Sequence, residues 1–274
     1  MARTGSSSHF QVFSKRGVRE FSHQPSTSLD QEEDATMTTT QTTANVEQWR
    51  LPRQAAAPEG PVDVKMMYVM HHAFRRDLVM FAEAAAVTPA DDREVWRALS
   101  RRWQLFSEIL HHHHSGEDAG LWPWLMQAAD ADERATLDAM EAEHAEIDPI
   151  LSACAQGFER VTTATDPVAA AHLADRLAAA RDTLLAHMGH EESDALALVQ
   201  KHMTQEDWDH VVENNFDKKV APRLLLAAVP WIAHELPRDA VDALLAEAGL
   251  PMKLIWLATR RRFERLDARA TRHV

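Results

Sequence analysis

Four stretches of this chain repeat apolar residues at helical spacing, and each repeat carries one histidine on its apolar stripe. The second is the clearest: Trp96, Leu99, Trp103, Phe106, Leu110, His113 and Glu117 follow one another at alternating steps of three and four. Such a stripe is the inward seam of a bundle helix. Its last two places hold an imidazole and a carboxylate, groups that are costly to bury unless they are paired or bound to a metal.

The other stretches follow the same plan. Val64, Met67, His71, Phe74, Leu78 and Phe81 form one seam, and Leu137, Met140, His144, Ile147, Leu151, Cys154 and Phe158 form another. Leu173, Leu177, Ala180, Leu184, His187 and Glu191 form the fourth, which continues toward Leu198. Residues four apart are stacked neighbours on a helix, so His113 with Glu117, and His187 with Glu191, can each present two donors to one point. Facing seams would bring four imidazoles and two carboxylates together in one core, a donor set for metal.

Composition agrees. Gly is scarce, there is one Tyr, and no run alternates apolar and polar residues long enough to suggest a sheet. The net charge of −13 argues against a nucleic-acid binder and against a polybasic membrane patch. No apolar run reaches the roughly 20 residues that span a bilayer, and the N-terminus lacks the apolar core of a secretory signal. The single cysteine, Cys154, forms no internal disulfide and suits a reducing cytosol, so a cytoplasmic location is expected.

The expected fold class is all-α: an up-down-up-down four-helix bundle with a helical C-terminal extension. Residues 1–60 read as a disordered polar tail, with Met37 as a second plausible start. Residues 61–202 read as the bundle and 203–274 as the extension. Bundle helices are expected at about 62–87, 93–117, 131–158 and 167–202. Asp91 or Asp92 would cap the second, and Asp166 with Pro167 would open the fourth. Gly120 to Pro123 should bend the chain. Beyond, Thr204 with Asp207 resembles a capping box, and helices are expected at about 204–217, 219–229, 238–248 and 251–271. Trp231, Leu236, Leu244, Leu245, Leu250, Leu254, Trp256 and Leu257 are apolar enough to dock on the bundle. Arg260, Arg261, Arg262, Arg265, Arg269 and Arg272 make the last helix basic, which suits pairing with the acidic bundle.

Within the His111–His114 run only His113 falls on the seam, and His114 could flank the core. His72 and His190 should turn away. Asp148, four after His144, is a candidate extra ligand or an acceptor that orients an imidazole. Tyr68, one turn before His71, could donate to a bound ligand or simply pack in the core. His202, His210 and His234 have no partner at ligand spacing.

These pieces together resemble the hemerythrin-like, HHE cation-binding family. They are His71-His72-Ala73-Phe74-Arg75-Arg76, His113-His114-Ser115-Gly116-Glu117-Asp118, Glu143-His144-Ala145-Glu146 and His187-Met188-Gly189-His190-Glu191-Glu192. The resemblance covers about residues 62–202. It implies a four-helix bundle holding a non-haem di-iron centre bridged by carboxylates. His71, His113, His144 and His187 would be terminal ligands, and Glu117 and Glu191 the bridges. The oxygen-carrying branch has a further histidine where Asp148 stands and an aspartate where Glu192 stands, which puts simple dioxygen carriage in doubt. Bacterial relatives, actinobacterial ones among them, carry a helical extension that residues 204–274 resemble.

The resemblance implies two iron ions, although a mixed His/Glu site also suits zinc or manganese. It implies a small diatomic or peroxidic ligand, namely dioxygen, nitric oxide or peroxide, bound in sensing, binding or stress protection. Two alternatives stand beside this: an oxidoreductase that decomposes hydrogen peroxide or reduces nitric oxide, and an iron-responsive structural or adaptor protein. No nucleic-acid or membrane partner is expected.

Overall fold

The computed structural model describes residues 45–49, 51–55, 59–217 and 220–274. The chain runs through α1 (Lys65–Val87), α2 (Arg93–Gly116), a π-helical turn (Glu117–Leu121), α3 (Trp122–Leu125) and α4 (Ala131–Thr163). It continues through α5 (Pro167–His190), a second π-helical turn (Glu191–Ala195), α6 (Leu196–His202), α7 (Gln205–Asn215), α8 (Pro222–Ala233) and α9 (Arg238–Ala270). The bundle is the ring α1, α2, α4, α5, in which α1 packs on α2 and α5, and α4 packs on the same two helices. The all-α bundle with C-terminal helices is therefore as expected.

Local sequence sets the helix starts. Asp92, not Asp91, caps α2 by accepting from Val95 N at 3.2 Å. The Asp166 carboxylate accepts from Val168 N and Ala169 N, with Pro167 in the first turn of α5. Thr204 and Asp207 form the expected capping box. Each cap satisfies N–H groups that a helix start leaves orphaned.

Two expectations need correction. The bend foreseen at Gly120 to Pro123 is absent: the chain stays helical through Leu125, with Pro123 in the first turn of α3. Pro123 has no N–H to donate to the preceding turn, and the π-helical turn Glu117–Leu121 lies immediately before it. The third helix passes Gly157 and ends at Thr163. In α9, the expected separation into two helices survives as a kink at Gly249, whose φ of 82° lies in the left-handed region open to glycine.

The two π-helical turns, invisible to a search for helical periodicity, begin at Glu117 and Glu191. Each widened turn displaces the following inward seam. Val199 is fully buried while Leu198, on the continued α-helical stripe, is only half-buried.

Apolar packing divides into two clusters. The larger includes Phe74, Leu78, Phe81, Trp103, Phe106, Leu110, Ile147 and Leu184, and continues into α8 and α9. The smaller includes Val64, Met67, Tyr68, Leu121, Leu125, Met140, Leu196 and Val199. Along every bundle helix the histidine of the seam lies between these two groups. The polar residues thus form one layer with apolar core above and below.

The extension is locked to the bundle by a buried polar network. Asp77 of α1 is fully buried; its Oδ1 accepts from Arg102 of α2 at 2.7 Å and from Arg76, and its Oδ2 accepts from the Trp231 indole at 2.8 Å. Arg102 also pairs with Asp267 of α9. The basic end of α9 meets the start of α2, where Arg272 lies 2.9 Å from Glu94. Of the apolar residues expected to dock on the bundle, Trp231, Leu236, Leu244 and Leu245 are buried, whereas Leu250, Leu254 and Leu257, beyond the Gly249 kink of α9, are exposed.

Of the tail expected over residues 1–60, residues 1–44, 50 and 56–58 lie outside the described residues. The described part packs on the bundle. Gln48 and Leu51 are buried, Val46 bridges to Gly60, and the Gln48 amide donates to Val62 O at 2.7 Å. Among the described residues, no helix is long and apolar enough to cross a membrane.

Replacing Asp77 with Ala leaves the Arg102 guanidinium and the Trp231 indole without their shared acceptor, and breaking a buried pair costs about 3–5 kcal/mol. Replacing Arg272, half-exposed, should cost no more than about 1 kcal/mol. Urea denaturation of both variants checks this; equal losses would contradict the role given to the network.

Candidate metal centre

The predicted residues do meet. His71 of α1, His113 of α2, His144 of α4 and His187 of α5 are each no more than 5% exposed, and Glu117 and Glu191 are fully buried. His71 Nε2 and His113 Nε2 approach to 3.3 Å, and His144 Nε2 and His187 Nε2 to 3.2 Å. Glu117 spans the two pairs, with Oε1 3.0 Å from His113 Nε2 and Oε2 3.7 Å from His144 Nε2. Glu191 Oε2 is 3.2 Å from His71 Nε2 and 4.0 Å from His187 Nε2.

These donors fit a metal better than they fit each other. All four carboxylate oxygens of Glu117 and Glu191 are buried without a well-directed hydrogen bond. Native interiors rarely leave such acceptors unsatisfied without cause. Two ligand atoms about 2.1 Å from one ion and at right angles stand about 3 Å apart, close to the spacings seen. His71, His113, Glu117 and Glu191 place four ligand atoms within 4.8 Å of one another. Imidazole and carboxylate together suit divalent first-row metals, iron included.

Carboxylates hold the far side of three rings. Glu192 lies 2.9 Å from His71 Nδ1, Asp118 lies 2.7 Å from His144 Nδ1, and Glu143 lies 2.7 Å from His187 Nδ1. A carboxylate at Nδ1 fixes that nitrogen as the donor and turns the Nε2 lone pair toward the centre. Glu192 is held in turn by Arg75, at 2.5 and 3.0 Å, and by Ala55 N at 2.8 Å. Glu143 also accepts from half-buried His190 at 2.8 Å.

Without metal, the layer is electrostatically divided. Burial opposes a charge on His71, but Glu191 and Glu192 outweigh it and raise its pKa to about 9. Burial, then the neighbouring His71 charge, lowers that of His113 to about 3. Burial and the Glu191 charge push the Glu117 carboxyl well above the usual range. Burial would also raise Glu191, yet His71 holds its carboxyl well below that range. Protons therefore occupy places that a cation would take.

The remaining candidates separate. His111 is exposed, and His112 donates to Phe216 O at 2.9 Å. His114, expected only to flank the core, is buried and shares a group of potential ligands with His144 and His187. Its ring, however, stacks on His144 at 3.9 Å with planes 10° apart. An imidazole lone pair lies in the ring plane, so two stacked parallel rings cannot both aim at one ion; His114 buttresses His144. Asp148 is exposed on α4 and does not reach the layer. Tyr68 is buried in the smaller apolar cluster. Asp118 and Glu143 were missed because neither lies on a seam. Their one signal was position, each beside an inward residue on its own helix.

The description hemerythrin HHE cation binding domain fits residues 62–199. No curated protein and no solved structure matches the chain. That span covers all four helices that meet in the layer and every one of the residues His71, His113, Glu117, His144, His187 and Glu191. The chain accordingly belongs to the hemerythrin HHE cation-binding domain family.

Proposed function

We propose that the buried layer is a non-haem di-iron centre that binds a small diatomic or peroxidic ligand. His71, His113, His144 and His187 act as terminal imidazole ligands, and Glu117 and Glu191 as carboxylates shared by the two ions. The observation that carries this reading is the convergence of four imidazole Nε2 atoms on two buried carboxylates whose oxygens lack well-directed hydrogen bonds. When bound, an iron pair supplies open coordination positions and electrons to such a ligand.

The residues around the centre do the rest. Glu192, Asp118 and Glu143 orient three of the four rings, and Arg75 neutralises the buried Glu192 charge. The apolar clusters above and below lower the local dielectric and strengthen the attraction of the carboxylates for a cation. The π-helical turns let Glu117 and Glu191 face the layer while the helices beyond return to apolar packing.

Two outcomes are expected. Iron-loaded protein should hold about two ions per chain by mass spectrometry. His113→Ala or Glu117→Ala should lose at least one of them, whereas His111→Ala and Asp148→Ala should keep both. Full retention in Glu117→Ala would remove that residue from the site.

Metal affinity should also rise with pH. His71 carries a proton below its metal-free pKa of about 9, and a ligand must be deprotonated to bind. Affinity should therefore climb with pH from the neutral range up to that pKa. Competition titration with a chelator of known pH dependence reads the slope; a flat profile would contradict it.

A further inference from the structure

A second feature lies beside the metal layer. It is a cavity of about 210 Å³, partly open to solvent, between the bundle and the extension, walled by α1, α2, α7 and α8. Its lining is chiefly apolar: Met66 and Met70 from α1, Ile109 from α2, Phe216 after α7, and Leu225 and Ala228 from α8. At its inner end it reaches His113, whose ring lies 6.2 Å from that of Phe216.

The walls are held in place by specific contacts. His112 donates to Phe216 O at 2.9 Å, which ties the end of α7 to α2. Gly116 permits this approach, since a Cβ there would stand 2.6 Å from the Phe216 ring. The space is therefore a built feature of the junction, and the family span of residues 62–199 supplies less than half of its wall.

We propose that this cavity binds a neutral or cationic apolar organic molecule and holds it beside His113. Three observations support this ligand class. The volume exceeds by more than tenfold the roughly 15 Å³ that one water needs on a comparable measure, and it is too large for a diatomic molecule alone. Apolar cavities of this kind bind apolar ligands, and methionine walls adapt to varied shapes. Among the described residues, the charged groups lining the cavity are Asp63, Asp209, Asp217, Glu247 and Lys65. Lys65 is already paired, 2.6 Å from Glu247 and 3.5 Å from Asp63. The excess of carboxylates disfavours an anionic ligand such as a fatty acid.

The cavity stands independently of the metal reading, but its proximity to iron rests on that reading. The test uses the full chain and the neutral fluorescent probe N-phenyl-1-naphthylamine, beside its anionic sulfonate analogue. Saturable binding near one probe per chain is expected, about tenfold weaker for the anion. Ala228→Phe, which fills the cavity, should weaken the neutral probe by about tenfold or more while leaving metal content unchanged. Met70→Ala, which enlarges it, should bind the probe with altered affinity and serves if Ala228→Phe fails to fold. No saturable binding, or unchanged binding in both variants, would overturn the proposal. Unchanged binding would move the probe elsewhere, for example to exposed Leu250, Leu254 and Leu257 on α9.

Proximity is read separately. Iron-loaded protein should quench the bound probe, and zinc-loaded protein of equal metal content should not. Equal brightness would remove the cavity from the neighbourhood of the metal. Absence of bound metal would count against the di-iron centre and leave the probe titration intact.

Discussion

Burying two carboxylates and four imidazoles in one layer is the constraint around which this bundle is organised. Each group alone would be expensive in an apolar core. Here they lie within a few ångströms of one another, and their mutual interactions do not satisfy them. Glu117 and Glu191 repel while both are charged, and His113 cannot share a positive charge with His71. A cation between them converts these conflicts into attraction. The same low dielectric that makes the metal-free layer costly makes the filled one favourable.

The layer also explains features at some distance. Its histidines need fixed orientations, and these come from carboxylates on neighbouring helices and, for His71, from the chain Glu192, Arg75 and the strap at Ala55. The extension contributes through α1 and α2, the helices that carry His71 and His113. Trp231 packs on Phe74 at 5.3 Å, and Phe74 lies 5.3 Å from His113. The extension is thus joined to the helices of the centre by aromatic packing and by the Asp77 network.

Much of this was legible in the sequence because it is periodic. Steps of three and four placed His71, His113, His144 and His187 on inward stripes, and the carboxylate one turn later identified Glu117 and Glu191. Caps at Asp92, Asp166 and Thr204 followed from local rules. What periodicity could not show depends on which helix packs on which. Asp118 reaches His144 across 26 positions, and Asp77 meets the Trp231 indole across 154. The π-helical turns were hidden for a different reason. They break the three-and-four repeat of an α-helix, and Gly120 with Pro123 imitated a bend where the chain stays helical. His114 shows the limit of a one-residue-wide stripe: a helix touched by two neighbours buries a wider face.

The most direct test of the central claim is anomalous diffraction at the iron edge from crystals of the iron-loaded protein. Two peaks are expected inside the bundle, one beside His71 and His113 and one beside His144 and His187, with Glu117 and Glu191 between them. A single peak, or peaks confined to the surface, would contradict it.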